Sequence, residues 1–214
     1  VLVVLVGGYT VTRFSSPDAS GQAARQFVLL PPEGAAFGVG VNDRTPAFAL
    51  SPDGRRLAFL ATRNGVRSIW IRELNGLDAP RVSGTEGVVG PPAWSPDGSS
   101  LAFFAAGTLR IVSTGGGTPI TLADAPRGRG ISWNSEDEIV FGLGTGFGLL
   151  RVSASGGTAR PVTELGPNDR SHVYPRFLPD GRHFPIWWSA RRLGGASIWP
   201  RSTRSKRESS WTRV

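Results

Sequence analysis

The chain has 214 residues, of which 29 are Gly and 17 are Pro, with 39% hydrophobic residues and a formal net charge of +8. Breakers recur too often for long helices, yet enough apolar residues remain to fill a core in one domain or two small ones. With no Cys, a disulfide framework, a thiol nucleophile and a thiolate metal site are excluded. With only His172 and His183, a multi-His metal centre is excluded as well.

The basicity is local. Residues 185–214 carry Arg191, Arg192, Arg201, Arg204, Lys206, Arg207 and Arg213 against Glu208, a balance of +6. Residues 1–184 carry 17 Arg and 15 acids, a balance of +2. The body is nearly neutral, so no nucleic-acid partner is expected from counterion release. Its basic residues are all Arg, as a GC-rich gene would encode.

The run VLVVLVGG at 1–8 is too short for a bilayer, which needs about 20 apolar residues. It reads as the outer end of a transmembrane helix, as a buried strand or as a signal-peptide remnant. Residues 9–26 then form a polar linker. The chain lacks Met and begins at Val1, so it reads as a fragment or a processed product, or as a start codon translated literally as Val.

From residue 27 an internal repeat governs the pattern. Ser51-Pro52-Asp53-Gly54 recurs as Ser95-Pro96-Asp97-Gly98, and Leu178-Pro179-Asp180-Gly181 is a further copy. Asn134-Ser135-Glu136-Asp137 occupies the same slot with the motif worn away. The residues before each slot are Leu50, Trp94, Trp133 and Phe177, spaced by 44, 39 and 44. Each slot is turn chemistry: Pro presets φ, Asp bonds its own backbone and Gly takes positive φ.

Strand signals follow each slot. LAFLA at 57–61, LAFFA at 101–105 and EIVFG at 138–142 are apolar, and SIWIREL at 68–74, TLRIVS at 108–113 and LLRVS at 149–153 come next. A Gly-rich turn leads to a short strand at Pro80-Arg81-Val82, at Pro119-Ile120-Thr121-Leu122 and at Pro161-Val162-Thr163. Some 12 to 15 residues, read as loop, lead on to the next aromatic. Units of this size with four short strands are propeller blades, and stacking buries the two apolar faces that one blade cannot cover. The fold class is therefore all-β, a β-propeller of four-stranded blades. About four blades are visible, as part of a six- to eight-bladed ring. An open partial ring leaves blade faces uncovered, so marginal stability or aggregation is expected of this chain alone.

The succession of aromatic, SPDG, LAF, IW or LR, a GG turn and a Pro-led strand resembles the WD-like repeats of TolB-type propellers. It is most similar to the propeller that bacterial transmembrane serine/threonine protein kinases carry outside the membrane. PPEGAAF at 31–37 with AFALSPDGRRLAFLA at 47–61 resembles the start of that propeller, and RFLPDGRHF at 176–184 resembles a later blade. The resemblance covers about 27–184. It implies a non-catalytic binding or sensory module in an extracytoplasmic, membrane-anchored protein. A protein, peptide or glycan would bind one face, and the membrane would be met only through an upstream helix. Two other classes remain open: a TolB-like periplasmic scaffold, and the gating propeller of a prolyl-oligopeptidase-like hydrolase.

After Phe184 the repeat ceases to match, and residues 185–214 hold four of the seven Trp. Shifting the frame by one base turns Ile186-Trp187-Trp188-Ser189 into a string compatible with Tyr-Leu-Val-Val, a strand. This tail reads as out of frame, with a native disordered basic tail as the alternative.

The chemical candidates are few, and no catalytic residue, cofactor or metal is expected. GLGTGFG at 142–148 lacks the Lys of a phosphate loop and the spacing of a dinucleotide loop, and reads as a hairpin. Asp53, Asp97 and Asp180 lie in separate turns, whereas calcium needs 6–8 converging oxygens. No GxSxG elbow accompanies the His residues. His172, with Asp169 and Arg170, lies in GPNDRSHVYP, read as a loop on the ligand face. Arg127 and Arg129, in RGRG ahead of Trp133, suit an anion or an acidic peptide, although a solvated loop is the plainer reading. Trp70, Trp94 and Trp133 read as core between blades.

Overall fold

The computed structural model describes residues 28–38 and 47–190. The chain divides into two units at Leu30 and Pro31, and every strand among the described residues lies in the second. The expectations for 1–26 and for 191–214 fall outside the described residues.

The second unit is built of antiparallel sheets in chain order. In the first blade, β1 (Ala35–Phe37) and β2 (Phe48–Leu50) line one edge of β3 (Arg56–Arg63), and β4 (Val66–Glu73) lines the other. A bridge from Trp70 to Arg81 supplies its outermost pairing. The second blade runs β5 (Val88–Trp94), β6 (Ser100–Ala105), β7 (Thr108–Ser113) and β8 (Ile120–Asp124), each paired with the next. The third runs β9 (Ile131–Trp133), β10 (Glu138–Gly142), β11 (Leu149–Ser153) and β12 (Arg160–Pro161) in the same way. In the fourth, β13 (Asp169–Val173) pairs with β14 (Trp187–Ala190). Strand pairing thus continues beyond Phe184 as far as Ala190. The all-β propeller is present, with β2, β5 and β9 side by side as the inner strands.

The structure corrects one expectation about the inner strands. The residues ahead of each aromatic were expected as loop, and two of those stretches hold β5 and β13. Gly90-Pro91-Pro92 hides β5, because Pro and Gly mark a strand interior as broken. The ladder absorbs them in an irregularity between Val89 and Ala93. Polar Asp169-Arg170-Ser171-His172 hides β13, whose Ser171 and His172 are buried without being apolar.

Side-chain alternation then stacks the blades. On β6, Leu101, Phe103 and Ala105 join a core with Ala58, Leu60 and Ile69 of the first blade. The alternate residues Ala102 and Phe104 join Ile139, Phe141 and Val152 of the third. On β10, Val140 turns the other way, with Leu149, towards Phe184 of the fourth. Period two forces this division, since successive side chains of a strand leave by opposite faces. Trp70 and Trp94 are buried, Trp94 in the first inter-blade core and Trp133 packed against the second. Phe48 and Leu50 of β2 are exposed.

Polar locks fix the register between blades. The Arg56 guanidinium lies over Trp94, 4.8 Å from its ring centre, and donates to the Gly98 carbonyl at 2.7 Å. The Trp94 indole N–H donates to the Ala49 carbonyl at 2.9 Å. Between the third and fourth blades, the buried Asn134 amide donates to the Gly181 carbonyl at 2.8 Å. Asn134 Oδ1 also accepts the N–H groups of Glu136 and Glu138. The worn slot is therefore a working turn, in which Asp137 takes the left-handed φ of 57° that Gly54, Gly98 and Gly181 take elsewhere.

Two stability changes follow. Asn134→Ala leaves the Gly181 carbonyl and two amides without their partner, and is expected to cost about 1–3 kcal/mol in urea unfolding. Ser135→Ala, on the exposed tip of the same turn, should stay within about 0.5 kcal/mol. Ala106 holds φ of 49° beside Gly107 at 74° in the hairpin between β6 and β7. Asn tolerates that conformation better than Ala, so Ala106→Asn should raise stability by up to about 1 kcal/mol in the same assay.

Candidate functional site

Antiparallel order gives each blade two unlike ends. One end carries the slot turns and the Gly-rich turns. The opposite end carries the hairpins between second and third strands and the crossovers into the next blade.

At the slot end the acids build turns. Ser95 Oγ donates to Asp97 at 2.6 Å and accepts the Ser100 N–H at 2.9 Å. Asp97 accepts the Ser99 N–H at 3.0 Å and the Ser99 hydroxyl at 2.7 Å. These donors, the Ser95 hydroxyl foremost, lower the Asp97 carboxyl from 3.8 to about 2. The Ser51 hydroxyl and then the Arg55 N–H lower Asp53 in the same way. At Asp180 the N–H groups of His183 and Arg182 are the main causes, followed by the His183 ring. That ring contacts the carboxylate at 2.6 Å.

The opposite end holds the other candidates. His172 is not in a loop but buried on β13, a correction to the sequence reading. Its Nδ1 lies 2.9 Å from Thr163 Oγ1 and its Nε2 lies 3.2 Å from Asp169 Oδ2. A carboxylate accepts only, so Nε2–H donates to Asp169, while Nδ1 shares a hydrogen bond with the Thr163 hydroxyl. Asp169 Oδ2 further accepts the Gly166 N–H at 2.8 Å. This hydroxyl, imidazole and carboxylate line resembles a nucleophilic constellation in outline. Thr163 Oγ1, however, accepts the Leu149 N–H at 2.8 Å, just as Thr85 Oγ1 accepts that of Ile69 at 2.9 Å. The same bond in two blades marks Thr163 as part of the framework, and His172 with Asp169 as its brace.

The Arg residues differ. A cavity of about 410 Å³ opens between the second and third blades, with Arg127, Arg129, Val89, Phe104, Gly144 and Thr145 in its wall. A Cβ on Gly128 would stand 2.3 Å from the Phe104 ring, and one on Gly130 would stand 2.4 Å from Tyr174 Cα. Only glycine fits at these two positions, so the segment carries Arg127 and Arg129 as its side chains. Tyr174 itself sits at φ of 52°, a conformation costing a bulky residue about 1–2 kcal/mol. The hairpin loop 143–148, which the sequence identified as such, closes the site. Gly144 and Thr145 form one wall, and the Gly146 N–H donates to the Arg170 carbonyl at 2.8 Å. Arg127, Arg129, Asp169, Arg170 and His172 thus gather at one end of the propeller. Among the described residues no carboxylate pairs with Arg127, Arg129 or Arg170.

A second cavity, of about 550 Å³, shows the contrast. Its Arg63 lies over Trp70 and donates to the Glu33 carbonyl. Its Arg81 pairs with Glu86 at 3.3 Å. These charges are already engaged. The sequence carried no signal for the Phe104 floor or for the wall at Gly144, since both are core and hairpin residues by pattern.

No family model matches the chain. The uncharacterized peptidase YuxL of Bacillus subtilis is 32% identical over 143 residues, which is 62% of this chain and 20% of the peptidase. The Tol-Pal system protein TolB of Alcanivorax borkumensis is 42% identical over 53 residues, 24% of this chain and 12% of that protein. The chain therefore spans a fifth or less of the curated relatives it matches. The crystal structure of TolB from Acinetobacter baumannii superposes with a TM-score of 0.57 at 17% identity, over 70% of this chain and 38% of that one. The chain has a TolB-like β-propeller fold.

The depressed carboxyls set the acid limb of stability. A group lowered from 3.8 in the unfolded chain to about 2 in the fold stabilises fully above the first value. That contribution is lost as pH falls from about 4 towards 2. The urea midpoint should drop over that window. Asp97→Asn should lower it at neutral pH and flatten the acid limb, and parallel curves for the two proteins would contradict this account.

Proposed function

We propose that this chain is the non-catalytic recognition module of a larger extracytoplasmic protein, binding a protein, peptide or glycan with its crossover end. The observation that carries this reading is a division of labour among polar residues. Asp53, Asp97, Asp180, His172 and His183 are spent on bonds that build turns and strands. Arg127, Arg129 and Arg170 stand at the crossover end, and among the described residues no carboxylate pairs with them. Propellers place binding loops at such ends, on a scaffold that holds them rigid. The extracytoplasmic placement rests on the resemblance to TolB-type propellers. The finer assignment, to the propeller of a membrane serine/threonine kinase, rests on the repeat pattern at 31–61 and 176–184.

A second reading has its own observation. The match to YuxL, which covers 62% of this chain, supports a propeller that gates the catalytic domain of a peptidase. A TolB-like scaffold is the third.

Reading the coding sequence on both sides of these 214 codons separates them. The expected result is a kinase domain and a complete membrane helix upstream. A GxSxG-bearing α/β domain downstream would transfer the chain to the peptidase reading. A cleavable signal peptide with neither domain would make it a scaffold.

A further inference from the structure

We infer that the cavity at Arg127 and Arg129, with the neighbouring Arg170, is a binding site for an acidic peptide segment in extended form. The inference deepens the recognition reading above and rests on it. Three observations bring it about. The cavity holds about 410 Å³, within the range of ligand sites and enough for an acidic side chain and an apolar neighbour. Its wall combines Arg127 and Arg129 with Phe104 and Val89. Guanidinium groups lacking an internal carboxylate favour an incoming one, through paired and charge-assisted hydrogen bonds.

The third observation sets the occupant's length. Thr145 is in the cavity wall, and the next residue, Gly146, is bonded to Arg170 at 2.8 Å. Arg170 therefore begins within about 10 Å of the cavity, the reach of three extended residues. Phe147, half exposed, follows on the same loop, and its carbonyl accepts the His172 N–H at 3.1 Å. Arg127 with Arg129, and Arg170, form two basic positions, and Phe104 and the exposed Phe147 supply apolar surface beside them. The matching ligand has two carboxylates separated by about two apolar residues. A small dicarboxylate fills only the first position. A nucleic acid fits less well, because the charge of residues 1–184 is only +2.

The test uses the whole chain and a fluorescein-labelled peptide containing Glu-Leu-Phe-Glu, read by anisotropy at low salt. The Gln-Leu-Phe-Gln peptide, glutarate as competitor and a labelled oligothymidylate serve as comparisons. Binding of the Glu peptide should be at least tenfold tighter than that of the Gln peptide. R127E/R129E should abolish it, R127Q/R129Q should weaken it at least tenfold, and the exposed R160E should leave it unchanged. Circular dichroism of each variant establishes that the fold is retained. Equal binding of the Glu and Gln peptides, or no binding, overturns the site. Displacement by glutarate at the peptide's own affinity overturns the peptide assignment, and tighter binding of the oligothymidylate overturns the protein class. Cleavage of the bound peptide, seen by mass spectrometry, would overturn the non-catalytic reading while leaving the site in place.

Discussion

Every feature of this protein depends on central strands that are apolar on both faces. A strand such as LAFFA cannot be half solvated, because Leu101 and Phe103 leave one face and Phe104 leaves the other. Burying each large side chain is worth about 1.5–3 kcal/mol, and a lone sheet would forfeit that on one side. The second and third blades are therefore each held between two neighbours. Repetition of the blade covers both faces of every β6-like strand, and the propeller is its geometric result.

Apolar stacking has no direction, so polar groups set the register. Arg56 on the Gly98 carbonyl and Asn134 on the Gly181 carbonyl both reach from a blade into the slot turn of the next. Two different side chains perform one task because the acceptor, a turn carbonyl, is the same in each. The slot turn thus serves twice. Its Asp shapes the turn, and its Gly carbonyl receives the neighbour.

That use of acids leaves a chemical asymmetry. Asp53, Asp97 and Asp180 are spent at the slot end, where donors in their own turns favour the ionised carboxylate. At the crossover end Gly128 and Gly130 press against Phe104 and Tyr174, and the intervening arginines are left to face the cavity. The recognition surface proposed here would be a by-product of close packing. Glycines demanded by the core place charged side chains where a partner can meet them.

The sequence by itself determined the repeat, the fold class and the purpose of the SPDG turns, because period-two patterning and turn chemistry are local properties. It also singled out Arg127, Arg129, Asp169, Arg170 and His172, though as loop residues. Only tertiary structure decided that β5 and β13 are strands, since Gly90-Pro91-Pro92 and Asp169-Arg170-Ser171-His172 are excused by neighbours that no local window contains. Only tertiary structure separated His172, bonded to Thr163 and Asp169 in the interior, from the arginines that remain available. The physical reason is common to both. A polar residue's role depends on whether its partner is water or another part of the chain, and that is settled only when distant segments meet.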